Sequence, residues 1–138
     1  GTGRPQCKAC GYLTRLPNDV IKEVQIYSSG EKVQIKDKID CKTKSFIYVL
    51  ESDKSKMQYC GQSGGTVSRR TRQHAEDIEN ERQTSVAIHF KETRSFKENL
   101  VMTPVKVIRS QNPWVRLHYE REMINKREFL DSGINVNL

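Results

Sequence analysis

Apolar and polar positions alternate twice near the start of the chain. Val24-Gln25-Ile26-Tyr27 and Val33-Gln34-Ile35 flank Ser28-Ser29-Gly30, a turn signal, so the spacing predicts a β-hairpin. Residues 45–50 (SFIYVL) form an apolar run of strand length, which predicts a buried strand. Glu51 to Lys56 is charged and turn-like, and Met57-Gln58-Tyr59-Cys60-Gly61 is a second short strand that completes an antiparallel pair. Gly64-Gly65 is read as a break, after which Thr66 can cap a helix from about Val67 to Asn80. Thr84 to Lys91 is predicted as a shorter helix with Val86, Ile88 and Phe90 apolar. Leu100 to Ile108 is β-like, and Pro104 within it favours a sheet edge or a bulge. Asn112 as cap and Pro113 at the first helical position open a last helix, expected to reach about Leu130 and to stop at Gly133.

Strands, helices, strand, helix is an α+β order. The expected architecture is a small antiparallel β-sheet flanked by helices, preceded by a short Cys-containing N-terminal β-hairpin appendage. The division falls at residues 1–44 for the appendage and 45–138 for the main domain.

Composition narrows the partners. The 138 residues carry a net charge of +7, which favours a polyanion through release of phosphate counterions. No apolar run approaches the roughly 20 residues of a membrane helix, and no signal-peptide core is visible at the N-terminus. Without a secretory signal the four cysteines do not suggest a disulfide framework. Cys7 and Cys10 form C-x-x-C, half of a zinc site or a redox pair, and Cys41 supplies a third thiolate for a tetrahedral Zn²⁺. The fourth ligand is open: Asp37, His89, His118 and Cys60 are candidates, and free cysteines are the plain alternative.

Tyr48 and Tyr59 fall on the two paired strands, where aromatics are ordinary core residues. The segment that follows raises their interest. Gly61 permits close approach to the backbone, and the next helix carries Arg69, Arg70, Arg72 and His74. Val67, Arg70, His74 and Ile78 share one helical face, so Arg70 and His74 lie on the core-facing stripe, while Arg69 and Arg72 point elsewhere, toward solvent or a phosphate backbone. An arginine on an apolar stripe needs a partner or a bound anion. On the last helix, Glu120 shares a face with Leu117 and Ile124, and Glu122 lies nearly opposite. A carboxylate turned inward is paired or metal-bound. For Glu120 the alternative to a metal is a salt bridge, to Arg70 or a neighbour.

These motifs resemble the GIY-YIG nuclease family. Ile47-Tyr48-Val49 and Tyr59-Cys60-Gly61 are similar to its paired tyrosine motifs, although Phe46 stands where the first motif has glycine. Gly61-Gln62-Ser63-Gly64 with Val67, Arg70 and His74, then Glu120-x-x-Met123-Ile124 and Gly133-Ile134-Asn135, continue the resemblance over about residues 45–135. The cysteines of the appendage and Val86-Ala87-Ile88-His89-Phe90 are most like the endonuclease domain of Penelope-like retroelements.

The resemblance implies a DNA endonuclease that nicks by hydrolysing phosphodiesters. Glu120 would bind Mg²⁺ (or Mn²⁺), and Tyr48 would act as, or relay to, the general base. Tyr59 and His74 would position water and phosphate, with His74 a rival base. Arg70 would supply positive charge, and Asn135 would orient the site. Arg69, Arg72 and the backbone at Gly61 would contact DNA. It further implies target-site cleavage in the nucleus and a reverse transcriptase domain in the same natural chain. The rival readings are a cleavage-incompetent DNA-binding module and a stand-alone repair or homing nuclease.

Overall fold

The computed structural model describes residues 23–26, 30–55, 57–127 and 130–131. Strands β1 (Glu23–Gln25) and β2 (Lys32–Gln34) form the early antiparallel hairpin, with Val24 opposite Val33. Its turn residues 27–29 lie outside the described set. The main sheet holds β3 (Lys44–Ser52), β4 (Gln58–Thr66), β5 (Leu100–Val107) and β6 (Leu130–Asp131) in the order β5-β3-β4-β6. Three helices follow the expected places: α1 (Val67–Glu79), α2 (Ser85–Glu92) and α3 (Pro113–Arg127).

Thr66 and Asn112 cap α1 and α3 as the sequence predicts, and Thr84, expected as the first residue of the second helix, is its cap. The Oγ1 of Thr66 accepts from Arg69 N at 3.1 Å, that of Thr84 from Ala87 N at 3.2 Å, and Oδ1 of Asn112 from Trp114 N at 2.9 Å. Such a cap is worth about 1 kcal/mol, because it satisfies a donor that the helix cannot. Pro104 combines both expected roles. It lies on the edge strand β5, and the β3–β5 register shifts between Ile47 and Tyr48, leaving Val105 as the extra residue. That bulge sits opposite Tyr48. In α2, Val86 and Phe90 face the core, and Ile88 lies on the exposed side.

Three expectations are corrected. Gly64-Gly65 does not break the chain: β4 runs through both glycines to Thr66, which pairs with Lys44 across a bulge. Strand β3 likewise continues through Glu51 and Ser52, both buried, where the charge pattern suggested a turn. The last helix ends at Arg127, and Leu130–Asp131 pairs in parallel with Tyr59–Cys60 of β4. A free strand edge with unpaired backbone groups overrides the weak helical pattern there. Gly133, the expected stop, is outside the described residues.

Direct register partners share a sheet face. Tyr48 is opposite Gly61, and Leu50 is opposite Tyr59, so both tyrosines lie on one face in a diagonal pair. Helices α1 and α2 cover that face: His74 meets Tyr48 and His89 meets Tyr59. Helix α3 lies on the other face, where Arg116 reaches Gln62 and Met123 lines a cavity with Ile47. The hydrophobic core is continuous, and Val24, Ile26, Ile35 and Ile39 of the early segment belong to it beside Phe46, Tyr48 and Leu50.

Candidate active site

The site begins with one oxygen. Oη of Tyr48 accepts a hydrogen bond from Nε of Arg70 at 3.1 Å and lies 2.8 Å from Nε2 of His74. Tyr48 is fully buried and His74 is 4% exposed. The helical spacing brings this about. Val67, His74 and Ile78 are buried on the inner stripe of α1, and Arg70, on the same stripe, is half-buried with its Nη1 donating to Oε1 of Gln73. Arg69 and Arg72 are exposed. Gly61 opposite Tyr48 places no side chain beside the phenol.

Burial pushes the His74 imidazole down to about 3, and the Arg70 charge adds to the effect, so the ring is neutral at working pH. Its Nδ1 is buried without a hydrogen-bond partner among the described residues. A neutral ring carries one proton. With the proton on Nδ1, the Tyr48 hydroxyl donates to Nε2. With it on Nε2, both Arg70 and His74 donate to Tyr48 Oη, which is the arrangement a phenolate requires. The ring therefore acts on Tyr48 rather than on solvent.

Tyr59 has a different environment. Burial, reinforced by the nearby Glu92 charge, pushes its hydroxyl up to about 12. Its ring packs edge-on to His89 at 5.7 Å between centroids, and His89 Nε2 lies 3.1 Å from Ser55 Oγ. Burial also lowers the His89 imidazole, with the Glu92 charge opposing it. Tyr59 thus stays a protonated phenol wherever the protein is folded at neutral pH.

Helix α3 turns Glu120 inward, 5% exposed, and Glu122 outward beside His118 at 3.7 Å. Arg116, one turn before Glu120 and on the same face, donates from Nε to Oε1 of Gln62 at 2.9 Å. Sequence reasoning missed Arg116, and it named Gln62 and Gly64 only as motif positions, without their contact with this arginine. Its i−4 spacing from Glu120 was the available signal. The edge of β4 is covered by β6 only at Tyr59 and Cys60, and no described strand pairs with it from Gly61 to Thr66. Arg70 on α1 and Arg116 on α3 lie on either side of this strand.

Among the described residues no group of three metal-ligating side chains comes together. A buried carboxylate can give one oxygen to a hard divalent ion that keeps most of its waters, and Glu120, turned inward on α3, fits such an ion in that way. Cys7, Cys10 and Asn135 lie outside the described residues. Of the candidate fourth zinc ligands, Asp37 accepts from Val107 N at 2.7 Å, Cys60 is buried in the core, and His118 sits beside Glu122. Cys41 is half-buried, and its carbonyl accepts from Ser68 N.

A phenol held by an arginine and a neutral imidazole beside β4, with an inward carboxylate on the opposing helix, is an arrangement suited to a hydrolytic nuclease domain. The family model of the GIY-YIG catalytic domain matches residues 44–135, two thirds of the chain, and the protein belongs to this family. Membership makes it a nuclease domain of the endonuclease class, with DNA as its substrate. No curated protein and no solved structure gives a significant match. No described helix is long and apolar enough to cross a membrane.

Proposed function

We propose that the chain is a divalent-metal-dependent endonuclease that nicks DNA, with Tyr48, Arg70, His74 and Glu120 as its working residues. The observation that carries this reading is the convergence of Arg70 and His74 on Tyr48 Oη. In hydrolysis a water loses a proton as its oxygen bonds to phosphorus, and the ester P–O bond breaks as the leaving oxygen gains a proton. Tyr48 Oη is the base, or relays the proton to it. Arg70 lowers the cost of phenolate charge, as does an imidazole proton on His74 Nε2. Arg70 is also the half-buried cover between that oxygen and solvent, so a scissile phosphate that engages its guanidinium opens the route to water. Tyr59, held protonated, donates a hydrogen bond and supports the phosphate. Glu120 would hold Mg²⁺ or Mn²⁺, which supplies charge neutralisation at the phosphate and leaving oxygens. Asn135 orients the site, and Arg69, Arg72 and the Gly61 backbone contact DNA.

Residues 1–44 are proposed as an appendage in which Cys7, Cys10 and Cys41 hold a structural Zn²⁺. The cysteine spacing and the Val86-to-Phe90 segment support a Penelope-like retroelement endonuclease, fused to a reverse transcriptase and working on nuclear target sites. A plasmid-nicking assay with Mg²⁺ tests the activity, and failure to nick with either Mg²⁺ or Mn²⁺ overturns it. Metal analysis before and after chelation tests the appendage: no bound zinc ends that part of the proposal.

A further inference from the structure

Among the described residues Arg116 has no charged partner. Its Nε donates to the neutral amide oxygen of Gln62, and its guanidinium rests on the backbone of Gly64. A Cβ at Gly64 would stand 2.9 Å from Nη2 and 3.1 Å from Nη1. Among the described residues no carboxylate forms an ion pair with Arg116. A half-buried cation that has given up part of its hydration without a counter-ion needs an anion to complete it. The planar fork, oriented through Nε with both Nη groups left to donate, matches an oxyanion of phosphate geometry.

Arg70 is built the same way. Its Nε is on Tyr48 Oη and its Nη1 on Gln73 Oε1, and no described carboxylate pairs with it. The two arginines are held by neighbouring strands, on β3 through Tyr48 and on β4 through Gln62, and they flank the Gly61–Thr66 stretch of β4, whose outer edge no described strand pairs with. The N-terminus of α1 adds no competing donors there. Val67 N, Ser68 N and Arg69 N are already bonded to Thr43 O, Cys41 O and Thr66 Oγ1.

We propose that Arg116, pinned by Gln62 and seated on Gly64, binds a backbone phosphate of the DNA on the α3 side of the β4 edge. This rests on the nuclease reading above and adds to it a second phosphate contact, separate from the one that Arg70 engages. It also gives Gly64 a reason: the residue there must lack a side chain so that the guanidinium can lie on the strand. The competing role is a strut that ties α3 to β4.

Salt-dependent binding of a fluorescent DNA duplex separates the two roles. All variants are made in a Glu120→Gln chain, so that cutting does not disturb the equilibrium. Adding Arg116→Ala is expected to reduce the slope of log K against log salt by about 0.9, the signature of one lost phosphate contact. Gly64→Ala keeps the charge and displaces only the flexible end of Arg116, so it is expected to reduce the slope similarly with an unchanged melting temperature. Arg82→Ala, which removes an arginine paired with Asp77, is the control and leaves the slope unchanged. A slope unaltered by both Arg116→Ala and Gly64→Ala, while the Glu120→Gln chain binds normally, overturns this proposal and leaves the nuclease reading standing. A lowered melting temperature without a change in slope assigns the strut instead. A Glu120→Gln chain that binds no DNA overturns both.

Discussion

The Tyr48 hydroxyl lies 2.8 Å from Nε2 of His74, at a point where neither residue meets solvent to any useful extent. The pair is closed from outside by Arg70, whose Nε is 3.1 Å from the same oxygen. An arginine, an imidazole and one phenol therefore form a unit whose charge state, rather than whose exposure, governs its chemistry. The geometry makes the two tyrosines unequal. Both are buried, but Tyr48 faces the Arg70 guanidinium and the His74 ring, whereas Tyr59 has the Glu92 charge adding to burial against ionisation.

Removing the Tyr48 hydroxyl should abolish cleavage. Tyr48→Phe strands His74 Nε2 in the interior and releases Arg70. We expect it to cost about 1–3 kcal/mol of stability without preventing folding. Denaturant unfolding and plasmid nicking measured together check this. A stable, fully active variant removes Tyr48 from the chemistry.

Tyr59→Phe should behave differently. Its hydroxyl, raised to about 12, does not ionise near neutral pH. The variant is expected to nick more slowly while keeping the pH–rate profile of the wild type. A shift in the profile's alkaline limb would transfer the base role from Tyr48 to Tyr59.

His74 makes stability depend on acid. Its folded value lies near 3, below the ordinary imidazole value of 6.5, so the unfolded chain takes up the proton first. The contribution is complete above pH 6.5 and is lost as pH falls from there toward 3. Arg70 and Tyr48 are the ionisable groups facing the ring. A His74→Gln variant cannot titrate, so the wild type's advantage over it should shrink between pH 6.5 and pH 4 in urea unfolding. A constant difference across that range contradicts the buried neutral ring.

Much of this site could be read from spacing. The alternation of β3 and β4 put Tyr48 and Tyr59 on neighbouring strands, and the helical period turned His74 and Glu120 inward and Glu122 outward. Those are short-range regularities, one or two turns or strand residues in reach. What spacing could not supply was long-range. Gln62 grips Arg116 from 54 positions away, and β4 passes through Gly64 and Gly65 because it pairs with β3 on both sides of them, where local propensity says break. Strand β6 is two residues long and too short to show any period. The burial of His74 against Tyr48 likewise depends on the tertiary packing of α1 on the sheet.

The most direct test is nicking of supercoiled plasmid by wild type, Glu120→Ala and Glu122→Ala in Mg²⁺. Glu120 is buried on the strand-facing side of α3 and Glu122 is exposed. Wild type and Glu122→Ala should nick at comparable rates, and Glu120→Ala should lose activity by at least about a hundredfold, the scale of removing one essential electrostatic contact. Full activity in Glu120→Ala, or its loss in Glu122→Ala instead, would contradict the site described.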